Sequence, residues 1–80
     1  MSKYKFIRWF KRNVGLTPFD YIILNRIENG KQMINQGKSL LETSINTGFY
    51  DQSHFSNYFK RFVGITPKTY QLGCNIFQDN

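Results

Sequence analysis

YKFIRWFKRNVGLTPFDY, residues Tyr4–Tyr21, is written a second time as SHFSNYFKRFVGITPKTY, residues Ser53–Tyr70. At an offset of 49 residues the copies agree at nine of eighteen positions: Phe6/Phe55, Phe10/Phe59, Lys11/Lys60, Arg12/Arg61, Val14/Val63, Gly15/Gly64, Thr17/Thr66, Pro18/Pro67 and Tyr21/Tyr70. In each copy aromatic residues recur three and four positions apart, the spacing of one side of a helix. The glycine then offers a left-handed C-cap, the threonine an N-cap and the proline a first helical residue. Each copy therefore reads as helix, tight turn, helix, one supersecondary unit used twice. A Lys-Arg pair at the same place in both predicts two similar cationic surfaces for a repetitive anionic partner, of which DNA is the obvious example.

Working outward, Ser2 is the expected N-cap of the first helix, with Phe6, Trp9, Phe10 and Val14 on one side and Lys3, Ile7, Arg8, Lys11 and Arg12 on the other. From Pro18 to Asn35 no further proline occurs, and Tyr21, Leu24, Ile27, Lys31 and Ile34 share a side, flanked by Ile23 and Met33. This predicts one helix of about 18 residues and about 27 Å, stopped at Gly37. Gly30 inside it disfavours the helix by about 1 kcal/mol relative to alanine, so a close helix contact or a bend is expected there. Ser39-Leu40-Leu41-Glu42 is a capping box opening a short helix, broken at Thr47-Gly48-Phe49-Tyr50. Asp51 caps the next, whose apolar stripe is Phe55, Tyr58, Phe59 and Phe62. A short helix, a glycine-containing turn and a second helix with a polar outer side is a helix-turn-helix arrangement. The expected organisation is a recognition helix of an incomplete first unit over 1–16, a linker helix over 17–36, a complete second unit over 38–72 and a frayed tail over 73–80.

Eighty residues allow one small domain, with 11 Lys+Arg against 5 Asp+Glu for a formal charge of +6. A chain this short buries only about 60% of its unfolded surface, so little stability is in reserve. Five of the bases, Lys3, Lys5, Arg8, Lys11 and Arg12, fall within the first twelve residues and attract phosphates. Eight Phe and five Tyr set the chain apart from disordered basic tails. The single Cys74 forms no internal disulfide, and one cysteine with the single His54 falls short of a four-ligand zinc site. No cofactor or metal is expected. The longest apolar run, Tyr21–Leu24, is far short of a membrane span, and the basic start lacks the apolar core of a secretory signal. A cytoplasmic, nucleoid-associated protein is expected. No nucleophile triad, phosphate-cradling loop or carboxylate pair shares a side of any helix, which argues against an enzyme and leaves no catalytic residue to name.

The second half, SLLETSINTGFYDQSHFSNYFKRFVGITPKTYQ, resembles the signature of the AraC/XylS family of transcription regulators. The motif elements are GF after a short helix, D-Q-S-x-F-S-x-x-F-K in the recognition helix and G-x-T-P-x-x-Y beyond it. SKYKFIRWFKRNVGLTPFDYI resembles the family's other unit from its recognition helix onward. The resemblance spans Ser2–Gln71 and implies an all-α, homeodomain-like fold: an incomplete first and a complete second helix-turn-helix joined by a long linker helix. The two helices the family places before Ser2 have no counterpart in this sequence. Exposed aromatics on the first unit are expected in consequence: either the sequence is a fragment of a longer regulator, or those aromatics find another chain, as in a homo-oligomer.

The implied function is sequence-specific binding of double-stranded DNA in transcription regulation, the recognition helices entering successive major grooves. Carried over position by position, Lys3, Tyr4, Ile7 and Arg8 read bases from the first helix, and Gln52, Ser53, Ser56 and Asn57 from the second. Lys11, Arg12, Lys60 and Arg61 meet phosphates and set register. Arg8 suits guanine, and Gln52 or Asn57 adenine, because each pairing makes two hydrogen bonds. Asn57 stands where the family often has arginine, and Gln71 replaces a common terminal arginine. Thr43, Ser44 and Thr47 put hydroxyls where aliphatics and alanine are usual.

The residues also admit two other classes. The basic, aromatic start MSKYKFIRWFKR has the composition of an interfacial membrane helix, but the duplicate Ser53–Arg61 holds far less charge, and no membrane contact is expected. The uncovered aromatic side also suits a protein-interaction module, self-associating as an intertwined oligomer.

Overall fold

The computed structural model of the chain describes residues 2–78, with side chains described through Gly73. Five helices follow in order: α1 (Lys3–Val14), α2 (Pro18–Asn35), α3 (Leu40–Asn46), α4 (Gln52–Val63) and α5 (Pro67–Gln78). No strand occurs among the described residues. Every helix opens on a side-chain oxygen that accepts an otherwise unpaired backbone N–H. Ser2 Oγ accepts from Lys5 at 3.2 Å, Thr17 Oγ1 from Asp20 at 3.1 Å and Ser39 Oγ from Glu42 at 3.0 Å. Asp51 Oδ1 accepts from His54 at 2.8 Å and Thr66 Oγ1 from Thr69 at 3.2 Å. The two copies of the repeat also end alike. Gly15 and Gly64 sit at φ 89° and 95° and donate to the carbonyls of Lys11 and Lys60. That left-handed conformation carries a steric penalty for any residue with a Cβ.

The core lies where α2, α3 and α4 meet. Ile23, Ile27, Gly30 and Ile34 form the buried line of α2, against Phe55 and Phe59 of α4 and Phe49 of the turn before it. This line is rotated from the expected one. Tyr21 is 43% exposed and packs edge-on against Phe10 at 5.6 Å, because the first turn of α2 serves α1 and the rest serves the second unit. Gly30 makes the close contact that its position in the helix suggested, the Phe55 ring lying over its Cα. The hydroxyls of α3 are buried. Ser44 Oγ donates to the Leu41 carbonyl at 2.8 Å and Thr47 Oγ1 to that of Thr43 at 2.7 Å, while Thr43 Oγ1 has no partner.

Tyr70 docks α5 by its ring against Phe59 at 5.5 Å and by its hydroxyl, which donates to Asn35 Oδ1 at 3.3 Å. The Lys31 ammonium lies 5.9 Å from the same ring. α5 runs on through Gln78, well past the frayed tail expected from residue 73. Beyond Pro67 the sequence has no proline to stop it, and Gly73 alone weakens a helix without ending it. Residues 79 and 80 of that tail lie outside the described residues.

One motif takes two burial states. In α4, Phe55 and Phe59 are fully buried; in α1, the equivalent Phe6 is 43% exposed, Phe10 is half-buried, and no residue of the helix is fully buried. The cause is α3 with its following turn, which covers α4; among the described residues nothing equivalent lies over α1.

Candidate nucleic-acid interface

The second unit holds its recognition helix from three sides. α2 and α3 pack on Phe55 and Phe59. The turn between α3 and α4 pins the start of α4: Phe49 is buried, with its ring 5.3 Å from Phe55 and 5.2 Å from His54. The turn is itself tied back to the linker helix by Arg26, which donates to the Gly48 carbonyl at 3.3 Å. With its apolar side fixed, α4 turns its polar side outward. Gln52, Ser53 and Asn57 are exposed and Ser56 is half-exposed. Their side chains make no hydrogen bond within the described residues, so their donors and acceptors are free to meet a partner.

On α1, Lys3, Tyr4 and Arg8 are exposed, Tyr4 by 75%, and Ile7 is half-buried. Ile7 forms one wall of an open groove with Lys3, Phe6, Thr17, Pro18 and Phe19. Lys11, Arg12, Lys60 and Arg61 are all exposed in the last turns of their helices, where cations also oppose the partial negative charge of the helix end. α1 carries five cations and α4 two, and neither contains a carboxylate. The positive potential is therefore concentrated on the helices whose polar sides are free.

The molecule measures 51 × 25 × 17 Å; α2, about 27 Å long, follows α1 at its start and packs against α4 along its length. Neighbouring major grooves on one side of a duplex recur about every 34 Å.

Trp9, His54 and Tyr58, with no binding role expected from the sequence, join the predicted cations here. A shallow cleft on α1 is lined by Lys5, Arg8, Trp9 and Arg12, and a second, on α4, by His54, Asn57, Tyr58 and Arg61. These are the same positions of the repeat. The signal in the sequence is the offset of 49 residues, which pairs Lys5 with His54 and Trp9 with Tyr58. His54 is held there by the Tyr50 N–H, which donates to its Nδ1 at 3.3 Å, and by the Tyr58 ring at 5.2 Å. An edge contact at 6.3 Å between Phe19 and Tyr58 links the first turn of α2 to α4, and no spacing in the sequence announces it.

No helix among the described residues is long and apolar enough to cross a membrane. A helix-turn-helix domain family matches residues 1–72. The chain is 35% identical over 73 residues to the probable transcriptional regulator LumQ of Photobacterium leiognathi, covering 90% of this chain and 29% of that protein. It is 32% identical over 72 residues to the HTH-type transcriptional regulator MtrA of Neisseria gonorrhoeae, covering 89% and 24%. The chain thus spans about a quarter of the length of these relatives. A crystal structure of a transcriptional regulator from Chromobacterium violaceum, of the AraC-type DNA-binding domain-containing proteins, superimposes with a TM-score of 0.81 at 27% identity, covering 92% of this chain and 67% of that one. Two matched helices with free polar sides, a spacer helix between them and these likenesses agree: the chain belongs to the AraC-type helix-turn-helix domain family of transcriptional regulators.

Proposed function

We propose that the chain binds double-stranded DNA sequence-specifically as the DNA-binding part of a transcription regulator, acting in the compartment that holds the DNA. α4 and α1 enter successive major grooves. Gln52, Ser53, Ser56 and Asn57 read one half-site; Lys3, Tyr4, Ile7 and Arg8 read the other. Lys11, Arg12, Lys60 and Arg61 grip the backbone and set register. The single observation that carries this reading is the freedom of the polar side of α4, whose opposite side is locked by Phe55 and Phe59. A helix fixed on one side and unsatisfied on the other is a positioned reader. No step of this function calls for a catalytic group or cofactor.

Titration of labelled duplexes at several salt concentrations tests it. Each phosphate contact contributes about 0.9 to the slope of log K against log salt. Lys60→Ala is expected to lower that slope by about 1 and to weaken all sequences alike. Gln52→Ala is expected to leave the slope unchanged and to relax preference at one base pair by about 1–3 kcal/mol. Unchanged relative affinities after Gln52→Ala would remove α4 from the reading face.

Self-association is a second reading, supported by the 43% exposure of Phe6 and 54% exposure of Trp9 on α1. Light scattering across protein concentration decides it: a constant monomer mass removes that reading and leaves the first intact.

A further inference from the structure

We infer that the two half-sites are read by different chemistry, with α1 recognising thymine by its C5-methyl group through Ile7 while α4 reads by hydrogen bonds. The inference rests on the DNA-binding reading and adds to it the identity of a base.

The repeat isolates the effect. It preserves the scaffold, Phe6/Phe55, Phe10/Phe59, Val14/Val63 and the Gly-x-Thr-Pro turn, and changes the reading positions: Tyr4 for Ser53, Ile7 for Ser56, Arg8 for Asn57. α4 presents hydroxyls and amides throughout. On α1 the central position has neither donor nor acceptor. Ile7 is half-buried, and the groove it walls, of about 400 Å³, continues over the apolar side chains of Phe6, Pro18 and Phe19 to Lys3. The reading side of α1 therefore has an apolar step at Ile7, open to solvent and flanked by the cations of Lys3, Arg8 and Lys11.

Base-pair edges in the major groove present hydrogen-bond donors and acceptors, with one apolar group among them, the methyl of thymine. An aliphatic side chain facing any other edge leaves a base donor or acceptor desolvated and unpaired. Against thymine it buries the C5-methyl, which has no hydrogen bond to lose, while the neighbouring O4 and the adenine edge stay open to water or to the flanking polar side chains. Ile7 at the mouth of an apolar groove is complementary to that group, and Ser56 at the same position of α4 is not.

The test uses duplexes that the chain itself selects from a random pool, in which each thymine is then replaced singly by deoxyuridine, a change that removes only the methyl. The base pairs whose preference relaxes in Gln52→Ala mark the half-site of α4, and the remainder belongs to α1. The expected result is a loss of about fourfold for one or two thymines in the α1 half-site, the factor given by burying one methyl, and no loss in the α4 half-site. Ile7→Ala is expected to bind thymine and deoxyuridine duplexes equally; Ile7→Val, which keeps the branched apolar surface, is expected to keep the discrimination. Wild-type chain indifferent to every methyl in the α1 half-site overturns the inference, and so does Ile7→Ala that still discriminates. If Ile7→Ala does not fold, the wild-type comparison and Ile7→Val decide alone. A selection that retains no duplex at low salt instead refutes the DNA-binding reading, and this inference with it.

Discussion

Phe55→Ala is expected to bring the protein to the edge of unfolding at room temperature, whereas the same change at the repeat-equivalent Phe6 leaves it folded. Phe55 is fully buried and meets Phe49 at 5.3 Å, Phe59 at 5.5 Å and the backbone of Gly30. Truncating such a ring removes its transfer free energy and leaves a cavity, a loss of about 3–5 kcal/mol. A chain of this size has about 5 kcal/mol to lose. Phe6 is 43% exposed and meets Phe10 at 5.9 Å, so its removal opens no closed cavity and is expected to cost about 1 kcal/mol. Urea unfolding followed by circular dichroism measures both. Equal midpoints for the two variants would show that α1 is covered in solution as α4 is.

Gly30→Val is the second large effect, a loss of about 2–3 kcal/mol. A Cβ at position 30 would stand 2.9 Å from Phe55 Cε1 and 3.1 Å from Cζ, with Thr43 Cγ2 at 3.5 Å. The ring cannot swing away, because it is enclosed on all sides, and overpacking of a closed core costs about 1–3 kcal/mol. Valine adds two further carbons beyond the offending one. The helix propensity gained by replacing glycine, under about 1 kcal/mol, offsets a small part. The same urea titration reads it. A variant as stable as the parent would mean that α2 and α4 stand further apart than described.

Local chemistry made most of the fold legible. Ser2, Thr17, Ser39, Asp51 and Thr66 cap helices as their residue types dictate, and Gly15 and Gly64 close them. Which side of α2 is buried was less legible. Tyr21 and Leu24 lie on a good apolar stripe, but that helix serves two units in succession, and periodicity along one strip cannot show where the partner changes. The extent of α5 is less legible, because the residues after Gly73 show no helical periodicity, although none of them breaks a helix.

For the interface, the outward residues of α4 followed from their place opposite a buried stripe. The groove beside Ile7 did not, since it joins residues from the first half of α1 to Pro18 and Phe19 across a turn. Contacts such as Phe19 to Tyr58 join residues far apart in the chain and leave no mark on local spacing.

The central claim is that both recognition helices engage one duplex at once, and the spacing of the half-sites tests it most directly. A selected duplex is lengthened between its half-sites by about five base pairs, half a helical turn, and in a second version by a full turn of about ten. The half-turn insertion carries one major groove to the far side of the cylinder, where α1 and α4, joined by one continuous helix, cannot both reach. Binding is expected to fall to that of a single half-site in the first duplex and to stay there in the second, because α2 has a fixed length. Affinity unchanged by either insertion would contradict the account, leaving one helix as the only reader.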